Sequence, residues 1–165
     1  MQMSWSTRIV AIGVGACLVA GGLPSDAAAG KRSMVSARIN GKRFKSTSRR
    51  LTFGTYGDFI LLVVGSKAGR SVRSLGVGCV PVDLATAALP LTCTGNGTYQ
   101  EVRIGRRPSA KAWGTVNGLQ VTIESFDGAR ARGTFSGTFD FGNENGASPL
   151  GPIPVEDGRF DVKLR

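Results

Sequence analysis

Histidine is absent from the chain. That removes the Ser-His-Asp and Cys-His nucleophile arrangements, the common histidine metal sets and the usual general base at neutral pH. Carboxylates remain, and two acids suffice for glycoside hydrolysis. The 11 Asp and Glu, however, sit mostly where turns need them: Glu156-Asp157 before Gly158, and Glu124 and Asp127 around a second turn. The stretch Asp140 to Gly146, "DFGNENG", gathers oxygen-bearing side chains of the kind calcium prefers, but without EF-hand spacing it reads as a solvated loop. No G-x-S-x-G elbow and no phosphate-loop pattern occurs, because Gly41-Lys42 lacks the upstream glycine. No catalytic residue, metal site or cofactor is expected. A carboxylate-based hydrolase is the remaining enzymatic alternative.

Charge is more informative. Residues 30–111 hold 15 Lys and Arg against Asp58, Asp83 and Glu101, a net +12, whereas residues 112–165 are net −2. The excess lies in two groups: Lys31, Arg32, Arg38, Lys42, Arg43, Lys45, Arg49 and Arg50, then Arg103, Arg106, Arg107 and Lys111. A field of that sign attracts lipopolysaccharide, acidic glycans or phospholipid headgroups. Arg exceeds Lys 15 to 6, which suits bidentate contacts to phosphate or carboxylate. The candidate anion-binding residues are Lys42, Arg43, Lys45, Arg49, Arg50, Arg103, Arg106 and Arg107. The plain alternative is a solvated surface whose charge guards strand edges against aggregation. Nucleic acid ranks last as a partner, since no stacking aromatics interleave with the basic run.

The N-terminus bears on where this charge acts. Arg8 precedes an uncharged apolar run, Ile9 to Leu23, followed by small residues, which is the order of a secretory signal peptide cleaved after Ala29. The run has 15 residues, short of a bilayer span of about 20. A competing reading takes "VGAC", Val14 to Cys17, as a lipobox with Cys17 lipidated. Either way the protein is exported, to the periplasm or cell exterior or onto a membrane by a lipid anchor. Cys79 and Cys93 are then the only mature cysteines, and an oxidising compartment makes them a disulfide around a 15-residue loop. Two buried thiols are the alternative; a zinc site would lack its other ligands.

The mature chain, residues 30–165, must position these groups as one domain. Gly, at 24 of 165, is about twice as frequent as usual without a collagen period, so many tight turns and bulges are expected. Asn40-Gly41, Tyr56-Gly57-Asp58, Asn96-Gly97 and Asn117-Gly118 read as turns between strands. The apolar run Phe59 to Val64 reads as a central strand covered on both faces. The best helical window, Val82 to Leu89, is about two turns long between Pro81 and Pro90. From Ala131 the odd positions are Ala131, Gly133, Phe135, Gly137, Phe139 and Phe141, and the even ones Arg, Thr, Ser and Asp. That period of two predicts one dry face, with rings settling over glycines, and one wet face. "RFDVKLR" repeats it, placing Phe160, Val162 and Leu164 inward and Arg159, Asp161 and Lys163 outward. Residues 142–154 read as a long surface loop. The expected fold is all-β: a single antiparallel β-sandwich or barrel-like domain of about eight short strands.

"SARINGKRFKS", "GLQVTIESFDGARARGTFSGTFDF" and "VEDGRFDVKL" together resemble a widespread family of small exported bacterial proteins. That family opens with strands around an "NGK-x-F" turn and closes with "VTI-x-S(F/Y)D", "SGTF-x-F" and "G-x-F-x-V" strands. The match covers the first and last thirds of the mature chain. Many members are predicted lipoproteins, and the family is a domain of unknown function. The resemblance implies an exported cell-envelope β-domain and carries over no catalytic residue. The expected function is therefore a non-enzymatic binding or structural module with a basic surface. A small barrel carrying an apolar ligand against its Phe and Val face is the leading alternative.

Overall fold

Asn40 and Gly41 take positive φ, 48° and 71°, so the chain reverses at once. β1 (Met34–Ile39) thereby pairs antiparallel with β2 (Lys42–Ser46), as the sequence predicts. The computed structural model describes residues 32–47, 52–55, 59–68, 70–79, 84 and 86–163, with side chains outside 52–55 and 59–68. The further strands are β3 (Thr52–Thr55), β4 (Phe59–Ala68), β5 (Ser71–Cys79), β6 (Leu91–Arg103), β7 (Ser109–Phe126), β8 (Arg130–Phe139), β9 (Phe141–Glu144), β10 (Ser148–Leu150) and β11 (Ile153–Lys163). Nine of them form one antiparallel sheet in the order β2-β1-β11-β8-β7-β6-β5-β4-β3, while β9 pairs with β7 and β10. The sheet curls into a half-barrel. Curling brings β2 back across the concave side, where Phe44 meets Tyr99 of β6 edge-on at 6.3 Å. No helix occurs among the described residues. The fold is all-β, as expected, with eleven strands among the described residues instead of about eight.

Two Asn-Gly pairs are used otherwise than the sequence predicts, and an expected loop adds a hairpin. Asn96-Gly97 and Asn117-Gly118 do not turn the chain; they lie inside β6 and β7. Gly95 pairs with Leu119 and Gly97 with Thr115, so residues 116–118 bulge opposite Asn96 alone. Asn117 has φ 61°, and its N–H donates to Asn96 Oδ1 at 2.9 Å. The expected loop at 142–154 is instead the β9–β10 hairpin, turning at Asn145 (φ 52°) and Gly146 (φ 76°). Phe59 to Val64 belongs to β4, paired on both sides but next to the sheet's end, so it is not central. The expected turn at Tyr56-Gly57-Asp58, Leu164 and the expected signal peptide, residues 1–29, fall outside the described residues.

The concave face carries the core. Phe44, Leu75, Tyr99, Leu119, Val121, Ile123, Phe135, Phe139, Phe160 and Val162 are all buried. Rings settle on glycines of the adjacent strand, as the period of two suggests. An added Cβ at Gly133 would lie 2.6 Å from the Phe160 ring, and one at Gly158 would lie 2.6 Å from the Phe135 ring. Glycine there is the condition for close ring-to-backbone contact. Arg132 and Lys163 face water as expected. Two expectations fail. Phe141 is 59% exposed, and Arg130 is only 6% exposed.

Cys79 at the end of β5 and Cys93 in β6 are joined, with Cα atoms 6.0 Å apart, inside the usual disulfide range. The bond closes the 80–92 connection onto the two strands it links. Reduction is expected to cost about 3 kcal/mol, the chain-entropy value for a loop of this size. Urea midpoints with and without reductant test it; equal midpoints would show that the crosslink constrains nothing.

Candidate functional site

Strand parity decides which charges reach the concave face. Phe44 and Ser46 of β2 are buried, so Lys42 shares their side and Arg43 and Lys45 take the other. In β5, Leu75 and Val77 are buried, which puts Ser71 and Arg73 in line with them. Tyr99 of β6 does the same for Glu101 and Arg103. Trp113 of β7 does it for Ser109 and Lys111, and Glu144 of β9 pairs opposite Lys111. The inward row of five strands thus changes from rings to charges at one end of the half-barrel.

These side chains, with Val102, line one open groove of about 590 Å³. Four cations, Lys42, Arg73, Arg103 and Lys111, face two carboxylates, Glu101 and Glu144. Lys111 Nζ stands 3.5 Å from Glu144 Oε2. The hydroxyl of buried Tyr99 donates to Glu101 Oε1 at 2.7 Å. Burial first, then that carboxylate, pushes the Tyr99 phenol far above its ordinary range, so it stays a neutral donor. Arg73 spans the gap to β2: its Nη1 donates to the Arg43 carbonyl at 3.2 Å, and its guanidinium carbon stands 6.0 Å from the centre of the Phe44 ring. Lys42 and Arg103 make no ion pair among the described residues. Both carboxylates are engaged, and two cations are left for an anion.

The sequence-predicted cations divide. Lys42 and Arg103 meet in the groove although sixty-one positions separate them. Arg106 and Arg107 are exposed on the 104–108 turn that joins two groove-lining residues, Arg103 and Ser109. Arg43 lines a separate, smaller recess of about 290 Å³ with Ser36, Ala37, Arg38 and Asp157. There Arg38 Nη2 is 4.0 Å from Asp157 Oδ2, and both side chains are well exposed. Lys45 is exposed on the same outward side of β2 as Arg43. Arg49, Arg50 and Cys17 lie outside the described residues. Sequence reasoning missed Arg73, Glu101 and Glu144. Arg73 was accessible in principle, since it stands two residues before Leu75 in an alternating strand.

The chain matches no family model, curated protein or solved structure. The groove is therefore read from its own residues. No group of three or more metal-ligating side chains occurs among the described residues. No described helix is long and apolar enough to cross a membrane.

Proposed function

We propose that this chain is an exported envelope β-domain that binds an anionic ligand in the basic groove, without chemistry on it. The observation that carries the reading is the convergence of Lys42, Arg73, Arg103 and Lys111, from four strands, on one groove with only two acids, each already partnered. A phosphate or carboxylate entering there meets a positive field beside a low-dielectric core, where Coulomb attraction outlasts that at an open surface. Arg73 and Arg103 offer forked donors suited to such groups. An acid–base role for Glu101 and Glu144 is disfavoured, because the Lys111 ammonium and the Tyr99 hydroxyl already engage these two carboxylates. Export is supported by the signal-like leader and by the Cys79–Cys93 crosslink, which suits an oxidising compartment.

The test compares two double variants on heparin at low and moderate salt. Lys42→Gln with Arg103→Gln is expected to weaken binding about tenfold and to flatten its salt dependence. Arg43→Gln with Lys45→Gln removes as much charge from the outward side of β2 and should change affinity far less. Equal losses from the two pairs would replace the groove with a general surface attraction.

A further inference from the structure

The turn after Arg103 has a composition that the groove alone does not explain. Ile104 is 59% exposed and Val102 37%, among the few large apolar side chains exposed in the described structure. They are set among Arg103, Arg106 and Arg107, and no acid occurs from Val102 to Lys111. A fourth arginine joins them: the Ile104 N–H donates to the Arg70 carbonyl at 2.8 Å, tying this turn to the one before β5. A Cβ added at Gly105 would stand 3.8 Å from Arg70 Nη1, so that guanidinium lies against the turn. An isoleucine held in water among four arginines gains nothing from a soluble anion. At a bilayer surface both halves of the motif are satisfied: the aliphatic groups enter the headgroup–acyl boundary while the guanidiniums meet phosphates.

We propose that the 104–108 turn docks this protein on an anionic phospholipid bilayer, with the groove facing the headgroups. The inference deepens the anion-binding reading and rests on it. Charge complementarity fixes the occupant: Arg70, Arg103, Arg106 and Arg107, with the adjacent groove residues Lys42, Arg73 and Lys111, present seven cations against Glu101 and Glu144. A neutral bilayer would offer the aliphatic pair a place but the arginines no partner.

The experiment measures cosedimentation of the full chain with vesicles of phosphatidylcholine alone and of phosphatidylcholine with half phosphatidylglycerol. The neutral vesicles supply the background, including any contribution from the apolar residues 9–23. Heparin binding is measured in parallel as the soluble-anion arm. Anionic vesicles should bind the chain at least about 30-fold more tightly than neutral ones, from roughly fivefold per arginine near the surface. Ile104→Ser should weaken anionic-vesicle binding about tenfold and leave heparin affinity unchanged, since only the bilayer uses the aliphatic group. Arg106→Gln with Arg107→Gln should weaken vesicle binding about 30-fold. Heparin binding with no preference for anionic vesicles would overturn the docking proposal and spare the groove. An Ile104→Ser protein that binds anionic vesicles as the parent does would also overturn it. Failure to bind either heparin or vesicles would remove the groove reading along with it.

Discussion

Phe139→Ala is expected to lose about 3–5 kcal/mol, the range for truncating a fully buried aromatic. Phe139 has no exposed surface and stacks on Tyr99 with ring centres 6.2 Å apart and planes 16° from parallel. Tyr99 stacks in turn on Trp113 at 5.7 Å and meets Phe44 edge-on. One ring thus joins β8 to β6, and through β6 to β7 and β2. Its edge also fills the space over Gly97, where an added Cβ would lie 2.9 Å from Phe139 Cε1. Removing it opens a cavity that rigid backbone on both sides cannot close. The groove should suffer as well, because Tyr99 holds Glu101 from within this stack. Phe141→Ala, two residues on, removes the same ring from a site 59% exposed and should cost well under half as much. Urea unfolding of both variants decides it. Equal losses would mean that the strand does not present Phe139 inward and Phe141 outward.

That pair of phenylalanines shows how far the period of two carries. It places Ala131, Phe135, Phe139, Phe160 and Val162 correctly, because each lies on an uninterrupted stretch where neighbours alternate faces. At Asp140 the ladder breaks. Its N–H donates to the Gly114 carbonyl, its carboxylate accepts the Thr115 hydroxyl, and pairing resumes at once with Phe141 opposite Gly114 and Gly142 opposite Trp113. Alternation is reset across the break, so Phe141 turns outward and lies over Gly114 instead. Asn-Gly is limited in a similar way. The pair supplies positive φ, which a two-residue hairpin needs and a bulge also accepts. Asn40-Gly41 and Asn145-Gly146 close hairpins, while Asn117 gives its positive φ to a bulge of β7 opposite Asn96, which stays in an ordinary strand conformation. Which use prevails depends on the partner strand, and that information is not local. The groove was legible for the same reason only in part. Its cations were visible as charge, but their convergence depends on β2 folding across the concave side to reach β5 and β6.

Arg130 extends the argument, because there the face was read correctly and its cover was not. Arg130, Arg132 and Asp161 share the side opposite the core, yet residues 32 and 33 lie across them: Arg130 Nη2 donates to the Arg32 carbonyl, and the Lys163 N–H to Ser33 Oγ at 2.9 Å. Under that cover Arg130 Nε donates to Asp161 Oδ1, with side chains only 7% and 17% exposed, and Arg132 Nε stands 3.4 Å from the same oxygen. Burial alone would raise the Asp161 carboxyl. The Arg130 hydrogen bond and charge, with Arg132, outweigh it and hold the group below its ordinary value. A depressed carboxylate stabilises the folded state fully above the unfolded value, about 3.9, and loses that contribution as pH falls through the folded one. Asp161→Asn should therefore cost about 3–5 kcal/mol at pH 7, since it leaves a buried guanidinium without its carboxylate. The deficit should shrink as the parent is titrated below pH 4, where the unfolded chain takes up the Asp161 proton before the folded one does. Arg132→Gln, at a half-exposed position, should cost no more than about 1 kcal/mol. Arg130→Met with Asp161→Leu should recover much of the loss, because two apolar side chains need no partner there. Urea midpoints of the four proteins between pH 7 and pH 3 give the comparison. A deficit for Asp161→Asn that does not change with pH would assign the loss to packing instead of charge.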